Sequence, residues 1–307
     1  MLRFPFSVQE DVESWPVDYR IIRPELPWEV APLTLCIAAA CMDHGKAKII
    51  IGSDLKTESA ITSSEVQEKL YWLVDDNKQY DWPTLVAGTL SKASELREVY
   101  RQYFSQLKKK GVLVTRENIS DIVKKPLALQ KRKLATHYVR MQLGIDYKDF
   151  LLQGKNTLPS EEFEDMTRNI REIDLGCSLI LCTFIKGLAY IFKTDKYGRV
   201  TFSEHFAAIG SGSVIAESVM HQREHEYDIS LGQATYHVYE AMKLGAKAPG
   251  VGSQHLISCL FCSRDSGIKL QNLNESGHKY LATRFKRYGP KEFWKMGIRH
   301  TCFDEPI

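Results

Sequence analysis

The chain has 307 residues, of which 44% are hydrophobic and 26% are charged, and its formal net charge is +3. A chain of this length and hydrophobic content can bury a substantial core, in one large domain or in two ordinary ones. The net charge is too small to indicate nucleic-acid binding, because phosphate recognition needs basic side chains concentrated on one surface.

No targeting segment is visible in the sequence. The first residues include Glu10, Asp11 and Glu13 and contain no cationic stretch followed by an apolar one, so a secretory signal is not expected. The longest apolar runs are shorter than a membrane span. We therefore expect a cytoplasmic protein.

The cysteines give no sign of a metal site. There are seven, at Cys36, Cys41, Cys177, Cys182, Cys259, Cys262 and Cys302. Cys259 and Cys262 have CxxC spacing, but they lie inside an apolar run and no second half-site accompanies them. We expect these two to be buried strand residues, and we expect the protein to use no metal and no cofactor.

The first third of the chain is predicted to contain a leader, four strands and a helix. Prolines among charged residues favour an extended leader over residues 1–33. The predicted strands are 34–41 and 47–54, which form a hairpin, and 68–74 and 84–89, which form a second pair. A long amphipathic helix starts at Ser91, with one apolar face made of Ala93, Leu96, Val99, Tyr100, Tyr103, Phe104 and Leu107.

The middle of the chain, residues 108–174, is charged and mostly helical by pattern. Lysine and arginine runs at 108–110, 124–125 and 131–133 make it locally basic. No aromatic stacking pattern is interleaved with these runs, so we interpret the segment as a solvated helical surface.

The last part of the chain is organised around a glycine-rich turn at 206–216. Gly210 and Gly212 free the backbone there, and Ser211 and Ser213 are predicted to cap the helix that follows. The strands predicted in this part are 178–185, 187–193, 200–202 and 255–262, and the helices are 214–223 and 230–244. This order of strands and helices predicts an α+β sandwich in which helices cover sheets.

The segment 208–216, with its two following helices and strand, resembles the equivalent stretch of proteasome β-type subunits and of the bacterial HslV peptidase. Residues 49–54, then Lys69, then 85–89 fall in the same order as in that family. The resemblance implies the four-layer αββα sandwich of N-terminal nucleophile hydrolases. It predicts a leader at 1–33, a proteasome-like domain at 34–263 with an enlarged helical section at about 108–174, and a C-terminal extension at 264–307.

The resemblance also implies a threonine peptidase. In this family a threonine exposed by leader removal attacks an amide carbonyl, and its own α-amine, with a pKa of about 7.7, accepts the hydroxyl proton. The matching positions are Thr34 for the nucleophile, Asp54 and Lys69 for the supporting ion pair, Gly88 for the oxyanion donor, Ser211 for the serine beside the terminal amine, and Val86 and Leu90 for the first specificity pocket. The pocket residues imply a preference for apolar side chains.

Departures from the family pattern keep a second interpretation open. Leu33 stands where active members commonly have glycine, and Pro249 and Gly252 stand where they have an aspartate and a serine. Ser253 could replace that serine after a one-residue shift. The alternative is therefore a catalytically inactive homologue that acts as a structural or assembly subunit, in which each candidate site residue has only a structural role.

A third hypothesis is a related amidase that uses Cys36 or Cys41 after a different cut. The partners implied by the family are further copies of the chain in a ring, a peptide or unfolded-protein substrate, and a separate ATP-dependent unfoldase. No GxxxxGK[ST] loop occurs in the sequence, so ATP hydrolysis is assigned to another chain. Neither nucleic acid nor membrane is an expected partner.

Overall fold

The computed structural model describes residues 34–55, 57–58, 63–64, 69–73, 80, 82–263 and 267–289. They all belong to one compact unit. The predicted leader at 1–33 lies outside the described residues. Within the described ranges, no helix combines the length and the apolar character needed to cross a membrane.

The described residues form twelve strands and seven helices. The strands are β1 (Cys36–Asp43), β2 (Lys46–Asp54), β3 (Thr57–Glu58), β4 (Ser63–Ser64), β5 (Leu70–Trp72), β6 (Pro83–Gly88), β7 (Cys177–Ile185), β8 (Leu188–Thr194), β9 (Val200–Ser203), β10 (Phe206–Ile209), β11 (His255–Ser263) and β12 (Gly267–Asn272). The helices are α1 (Leu90–Lys109), α2 (Ile119–Leu143), α3 (Tyr147–Thr157), α4 (Ser160–Arg171), α5 (Ser213–Gln222), α6 (Leu231–Gly245) and α7 (Glu275–Tyr288).

These strands form two five-stranded antiparallel sheets and one short ribbon of β3 and β4. The first sheet has the order β10-β1-β2-β11-β12, and the second has the order β5-β6-β7-β8-β9. The predicted hairpin at 34–41 and 47–54 is confirmed as β1 and β2. Its turn residues His44 and Gly45 both have positive φ, at 51° and 72°, as tight two-residue hairpin turns require.

The strand β1 is buried on both faces, which explains its unbroken run of apolar residues. Ala38 belongs to a cluster that includes Ile51 from its own sheet and Ile180 from the second sheet. Its neighbour Ile37 points the other way and packs in a cluster with Val238 of α6. A strand that faces water on one side would alternate apolar and polar residues, and this one does not.

The outer face of each sheet is covered by helices. On the second sheet, Leu96, Tyr100 and Phe104 of α1 cluster with Val86 and Leu179. The predicted apolar face of this helix is confirmed for its buried members, while Val99 and Tyr103 are only half-buried. The first sheet is covered in the same way by α5, α6 and α7, through a cluster that contains Val219, Val238 and Leu281.

The section at 108–174 is helical, as predicted, and has a small core of its own. The end of α2 packs with α3 and α4 through Ala135, Val139, Phe150, Met166 and Ile170. The rings of Phe150 and Phe163 lie 5.2 Å apart. The first half of α2 instead joins the core of the second sheet through Ile122, Val123 and Leu127, so only its second half, with α3 and α4, forms a separate helical addition.

The described residues after Ser263 continue the first sheet and its helical cover. β12 pairs with β11, and Leu281 of α7 is buried in the same cluster as α6. The expectation that both CxxC residues are buried is wrong. Both lie on β11, but Cys259 is only half-buried, because it lines an open pocket with Ile50 and Asn272, and Cys262 is exposed one residue before the strand ends.

A buried histidine ties the segment between α5 and α6 to β1. Nε2 of His225 lies 3.0 Å from the carbonyl oxygen of Ala40, and Nδ1 lies 3.2 Å from Nδ1 of His237. A carbonyl can only accept, so Nε2 of His225 carries the proton and Nδ1 accepts from His237. Burial, together with the nearby His237 and His205, lowers the pKa of His225 to about 4 against the opposing hydrogen bond to Ala40.

We expect folding to weaken as the pH falls from 6.5 to about 4, because the unfolded chain then binds a proton at His225 that the folded chain excludes. The stabilisation is fully present above this window. In the wild type, His225 should lower the free energy of unfolding by up to about 1.4 kcal/mol for each unit that the pH falls within this window. His225→Gln should lack this contribution and therefore show a shallower slope. Urea unfolding at several pH values measures the slope. His44→Gln, at a side chain that is 94% exposed, should keep the wild-type slope, and an unchanged slope in His225→Gln would contradict the assignment.

Candidate functional site

Three strand ends bring Thr34, Asp54 and Lys69 together. Thr34 precedes β1 and Asp54 ends β2, and the antiparallel pairing of these strands puts the two termini side by side. Lys69 precedes β5 on the other sheet, where its carbonyl accepts from Val86 N–H at 3.0 Å. The carbonyl of Val86 in turn accepts from Cys36 Sγ at 3.5 Å, so the two sheets touch beside the site.

The three side chains form one hydrogen-bonded cluster. Thr34 Oγ1 donates to Asp54 Oδ1 at 2.6 Å, and Lys69 Nζ donates to the same oxygen at 2.7 Å and also to Thr34 Oγ1. Thr34, Asp54 and Lys69 are 4%, 0% and 5% exposed. Opposite charges attract more strongly away from water, and either charge alone would be costly to bury. The cluster therefore holds a hydroxyl against an ammonium in a nearly dry environment.

The Asp54 carboxylate is also held by the backbone. Oδ1 accepts from Leu35 N–H at 2.8 Å, and Oδ2 accepts from Gly252 N–H at 3.1 Å. From the sequence, Gly252 is only a position where the family has a serine. Its contribution here is a main-chain donor, which every non-proline residue carries and which no sequence pattern points to.

The glycine-rich turn lies against the main chain of Thr34. Gly210 has φ +94°, and a Cβ at this position would overlap the carbonyl oxygen of Thr34. That oxygen accepts from Gly212 N–H and from Ser211 Oγ, both at 3.4 Å. Gly210 is thus required by this close approach as much as by its backbone conformation.

The prediction that Ser211 and Ser213 cap the next helix is wrong. Gly212 occupies the N-cap position of α5, no side chain caps the helix, and Ser213 is its first residue. Ser211 instead directs its hydroxyl at the carbonyl of Thr34, so the local capping signal was overridden by a tertiary contact.

Gly88, the predicted oxyanion donor, ends β6 in a conformation that side chains rarely adopt. Its φ is +137°, and a Cβ would lie 2.5 Å from the backbone of Gly176 and Cys177. Packing against β7 therefore explains why the residue is glycine. Its role toward a substrate remains a prediction.

Val86 and Leu90, the two residues predicted to form the first specificity pocket, do not line the same pocket. Val86 lines a narrow pocket between the second sheet and α1, together with Tyr71, Ser94 and Arg97. Leu90 is the half-buried first residue of α1 and is not part of that lining. The sequence did not identify Arg97 as a pocket residue, because a single arginine on an amphipathic helix is normally a surface residue.

The two cysteines considered as alternative nucleophiles have unsuitable surroundings. Cys36 and Cys41 are both fully buried, and burial raises the pKa of each thiol to about 12. A thiol attacks as its thiolate, so these groups are poorly activated. For metal ions, the described residues contain no group of three or more His, Cys, Asp or Glu side chains that could hold one.

A known family model matches part of the chain. Residues 161–257 match the family model described as proteasome subunit, which is about a third of the chain. The match runs from α4 through β7–β10, α5 and α6 into β11, and so includes the glycine-rich turn. It supports a proteasome-like character for this part. It does not extend to Thr34, Asp54, Lys69 or Gly88, and no curated protein matches the chain.

Replacing Gly210 by alanine should destabilise the protein, because the methyl group meets the Thr34 carbonyl and the backbone is strained. We expect a loss of at least about 2 kcal/mol in the free energy of unfolding, measured with urea. Gly45→Ala is the matched control, since Gly45 also has positive φ, at +72°, but has nothing within 4 Å of an added Cβ. Equal losses in the two variants would show that the contact with Thr34 has no energetic weight.

Removing the ammonium of Lys69 should leave Asp54 as a buried, unbalanced charge. We expect Lys69→Met to lower the free energy of unfolding by about 3 kcal/mol. In the control, Lys48→Met, the lost partner is Asp43 at 2.6 Å, and both side chains keep 21–25% exposure. That change should cost about 1 kcal/mol or less. Similar costs for both variants would refute the importance of burial at Lys69.

Proposed function

We propose that the protein is a proteasome-like threonine peptidase that hydrolyses peptide bonds once residues 1–33 are removed. The observation that carries the proposal is the contact of the Thr34 hydroxyl with both Lys69 and Asp54 in a nearly solvent-free cluster. The proteasome-subunit match over residues 161–257 supports it independently, because that match comes from a different part of the chain.

Removal of the leader supplies the missing base. In the uncut chain Thr34 has a peptide nitrogen, which cannot accept a proton at neutral pH, and its hydroxyl donates to Asp54. Hydrolysis of the bond between Leu33 and Thr34 gives a carboxylate on Leu33 and a free α-amine on Thr34. An α-amine with a pKa of about 7.7 is partly unprotonated at neutral pH and lies beside the hydroxyl.

In the proposed reaction Thr34 Oγ1 adds to the substrate carbonyl carbon while the α-amine takes the hydroxyl proton. The carbon–nitrogen bond then breaks, the leaving amine receives that proton, and the acyl group stays on Thr34 as an ester. Water hydrolyses the ester with the α-amine again as base, which releases the carboxylic acid. Lys69 stabilises negative charge on Oγ1 through its ammonium, and Asp54 holds that ammonium in place.

The other predicted residues complete this proposal. Gly88 N–H is assigned to the oxyanion, and Ser211 is assigned to the terminal amine, since its hydroxyl already lies 3.4 Å from the Thr34 carbonyl. Val86 and Leu90 are assigned to the first specificity pocket. Val86 is the better supported of the two, because it lines the pocket and also contacts Lys69.

The fold assigned to this peptidase is the four-layer αββα sandwich of N-terminal nucleophile hydrolases. Its support is the apolar cluster shared by the two sheets and the separate clusters that join each sheet to its helices. By analogy with the family, copies of the chain form a ring, and a separate ATP-dependent unfoldase delivers substrates. A cytoplasmic location remains part of the same proposal.

A second candidate is a catalytically inactive, proteasome-like structural or assembly subunit. Two observations favour it. The Asp54 Oδ2 atom is held by Gly252 N–H, at the position where active members are expected to have a serine side chain. The family match also excludes the segment that contains Thr34. In this case the buried cluster only joins the two sheets.

Intact mass spectrometry of the purified full-length protein separates the two candidates. For the peptidase we expect a chain that begins at Thr34, while Thr34→Ala should retain residues 1–33 because its nucleophile is missing. The control Thr201→Ala, at an exposed threonine on β9, should be processed like the wild type.

Activity is measured on the same samples with fluorogenic peptides and with an electrophile that traps N-terminal threonine. A wild-type chain that keeps its leader and resists the electrophile would support the structural subunit. A chain that keeps its leader yet cleaves peptides would rule out the proposed mechanism.

A further inference from the structure

A band of exposed basic side chains runs along the first half of α2. Its members recur every three or four residues, so they share one face of the helix. Leu129, which is 43% exposed, lies in the middle of this face, one turn from Lys125 and one turn from Lys133. This face, the basic stripe, consists of Lys124, Lys125, Leu129, Arg132 and Lys133, all of them exposed.

The start of α4 carries the opposite charge. Its first six residues contain no basic residue and four exposed acidic ones, which together form the acidic start: Glu161, Glu162, Glu164 and Asp165. Carboxylates in a first turn favour the helix through its dipole, which accounts for Glu161 and Glu162. Glu164 and Asp165 extend the negative charge beyond that turn.

The two charges are segregated along the chain instead of being paired. No acidic residue occurs between Asp121 and Asp146. Within the described part of the chain, neither the basic stripe nor the three glutamates of the acidic start form an ion pair, whereas α1 pairs its own Lys92 with Glu95. A helix surface that only faces water commonly mixes both signs, because such pairs stabilise it. Each of the two surfaces is therefore left with an unbalanced charge.

The fold keeps these two surfaces apart. Lys131 Nζ donates to the carbonyl of Arg171 at 2.6 Å, and Asn169 Nδ2 donates to the hydroxyl of Tyr138 at 3.0 Å. Going back along α4 from its end, the contacts on α2 thus move away from the basic stripe. Glu161 precedes Arg171 by ten residues, which is about 15 Å of helix. This length exceeds the screening length of about 10 Å in 0.1 M salt, so the acidic start does not neutralise the stripe of its own chain.

We propose that copies of this chain associate head to tail, with the basic stripe of one copy against the acidic start of α4 in the next. The inference rests on the self-association included in the proposed function, and it identifies the surface. Because the two halves of the contact lie at different places on each copy, any pair leaves one stripe and one acidic start free, and copies add until a ring closes.

The composition of the stripe suits a protein partner. Leu129 gives the contact an apolar centre, and the surrounding charges give it a polar rim that sets the register and the orientation of the two copies. The stripe contains no aromatic side chain on which bases could stack, so it fits single-stranded nucleic acid less well than an acidic helix.

Reciprocal charge reversal tests this contact in the full-length protein. Sedimentation velocity at several protein concentrations measures self-association. We expect the wild type to associate, and Lys125→Glu/Arg132→Glu and Glu161→Lys/Glu164→Lys each to weaken association by at least about tenfold, because like charges then face each other. An equimolar mixture of the two double variants should restore the complex, because every contact in an alternating array again joins opposite charges. A variant that fails to fold could not give this rescue.

Lys108→Glu/Lys109→Glu is the matched control, because it reverses the same amount of charge at the exposed end of α1 and should associate like the wild type. Wild-type complexes that resist both reversals, or a mixture without rescue, overturn the inference and leave a ring through another surface standing. A wild-type monomer overturns the ring as well. If that monomer binds single-stranded RNA and Lys125→Glu/Arg132→Glu does not, the stripe is a nucleic-acid surface instead. Intact mass of the same samples reports on leader removal, so the peptidase and the contact can fail separately.

Discussion

The buried carboxylate of Asp54 is the interaction on which the rest of the candidate site depends. It accepts from the Thr34 hydroxyl, from Lys69, and from the N–H groups of Leu35 and Gly252. These donors come from the segments just before β1, β5 and β11, so a single side chain joins both sheets. A carboxylate without solvent is tolerated only when its oxygens are paired, and here every donor also fixes the position of a neighbouring segment.

The surrounding backbone is shaped to leave this cluster little space. The turn at Gly210 approaches the Thr34 carbonyl so closely that a side chain is excluded, and Gly88 ends β6 against β7 in the same way. Such close packing keeps the hydroxyl and the ammonium in contact without help from solvent. It also explains how one arrangement serves either candidate function, since the same contacts that would orient a nucleophile also hold two sheets together.

Much of the architecture could be predicted because its signals are local. The hairpin around Gly45, the apolar face of α1 and the helices of 108–174 follow from turn chemistry and periodicity. The grouping of Thr34, Asp54 and Lys69 came only from the family resemblance, since nothing local links residues so far apart. Gly252 was missed because a main-chain donor has no sequence signature. The helix-cap role predicted for Ser211 was wrong because its hydroxyl is used in a tertiary contact.

The most direct test of the central claim compares two forms of the chain that both begin at Thr34, one with a free α-amine and one with that amine acetylated. Peptide hydrolysis is followed across neutral pH for each. We predict activity in the free-amine form that rises as the pH passes about 7.7, where the amine loses its proton, and none in the acetylated form. Equal activity of the two forms, or a free-amine form without any activity, would contradict it.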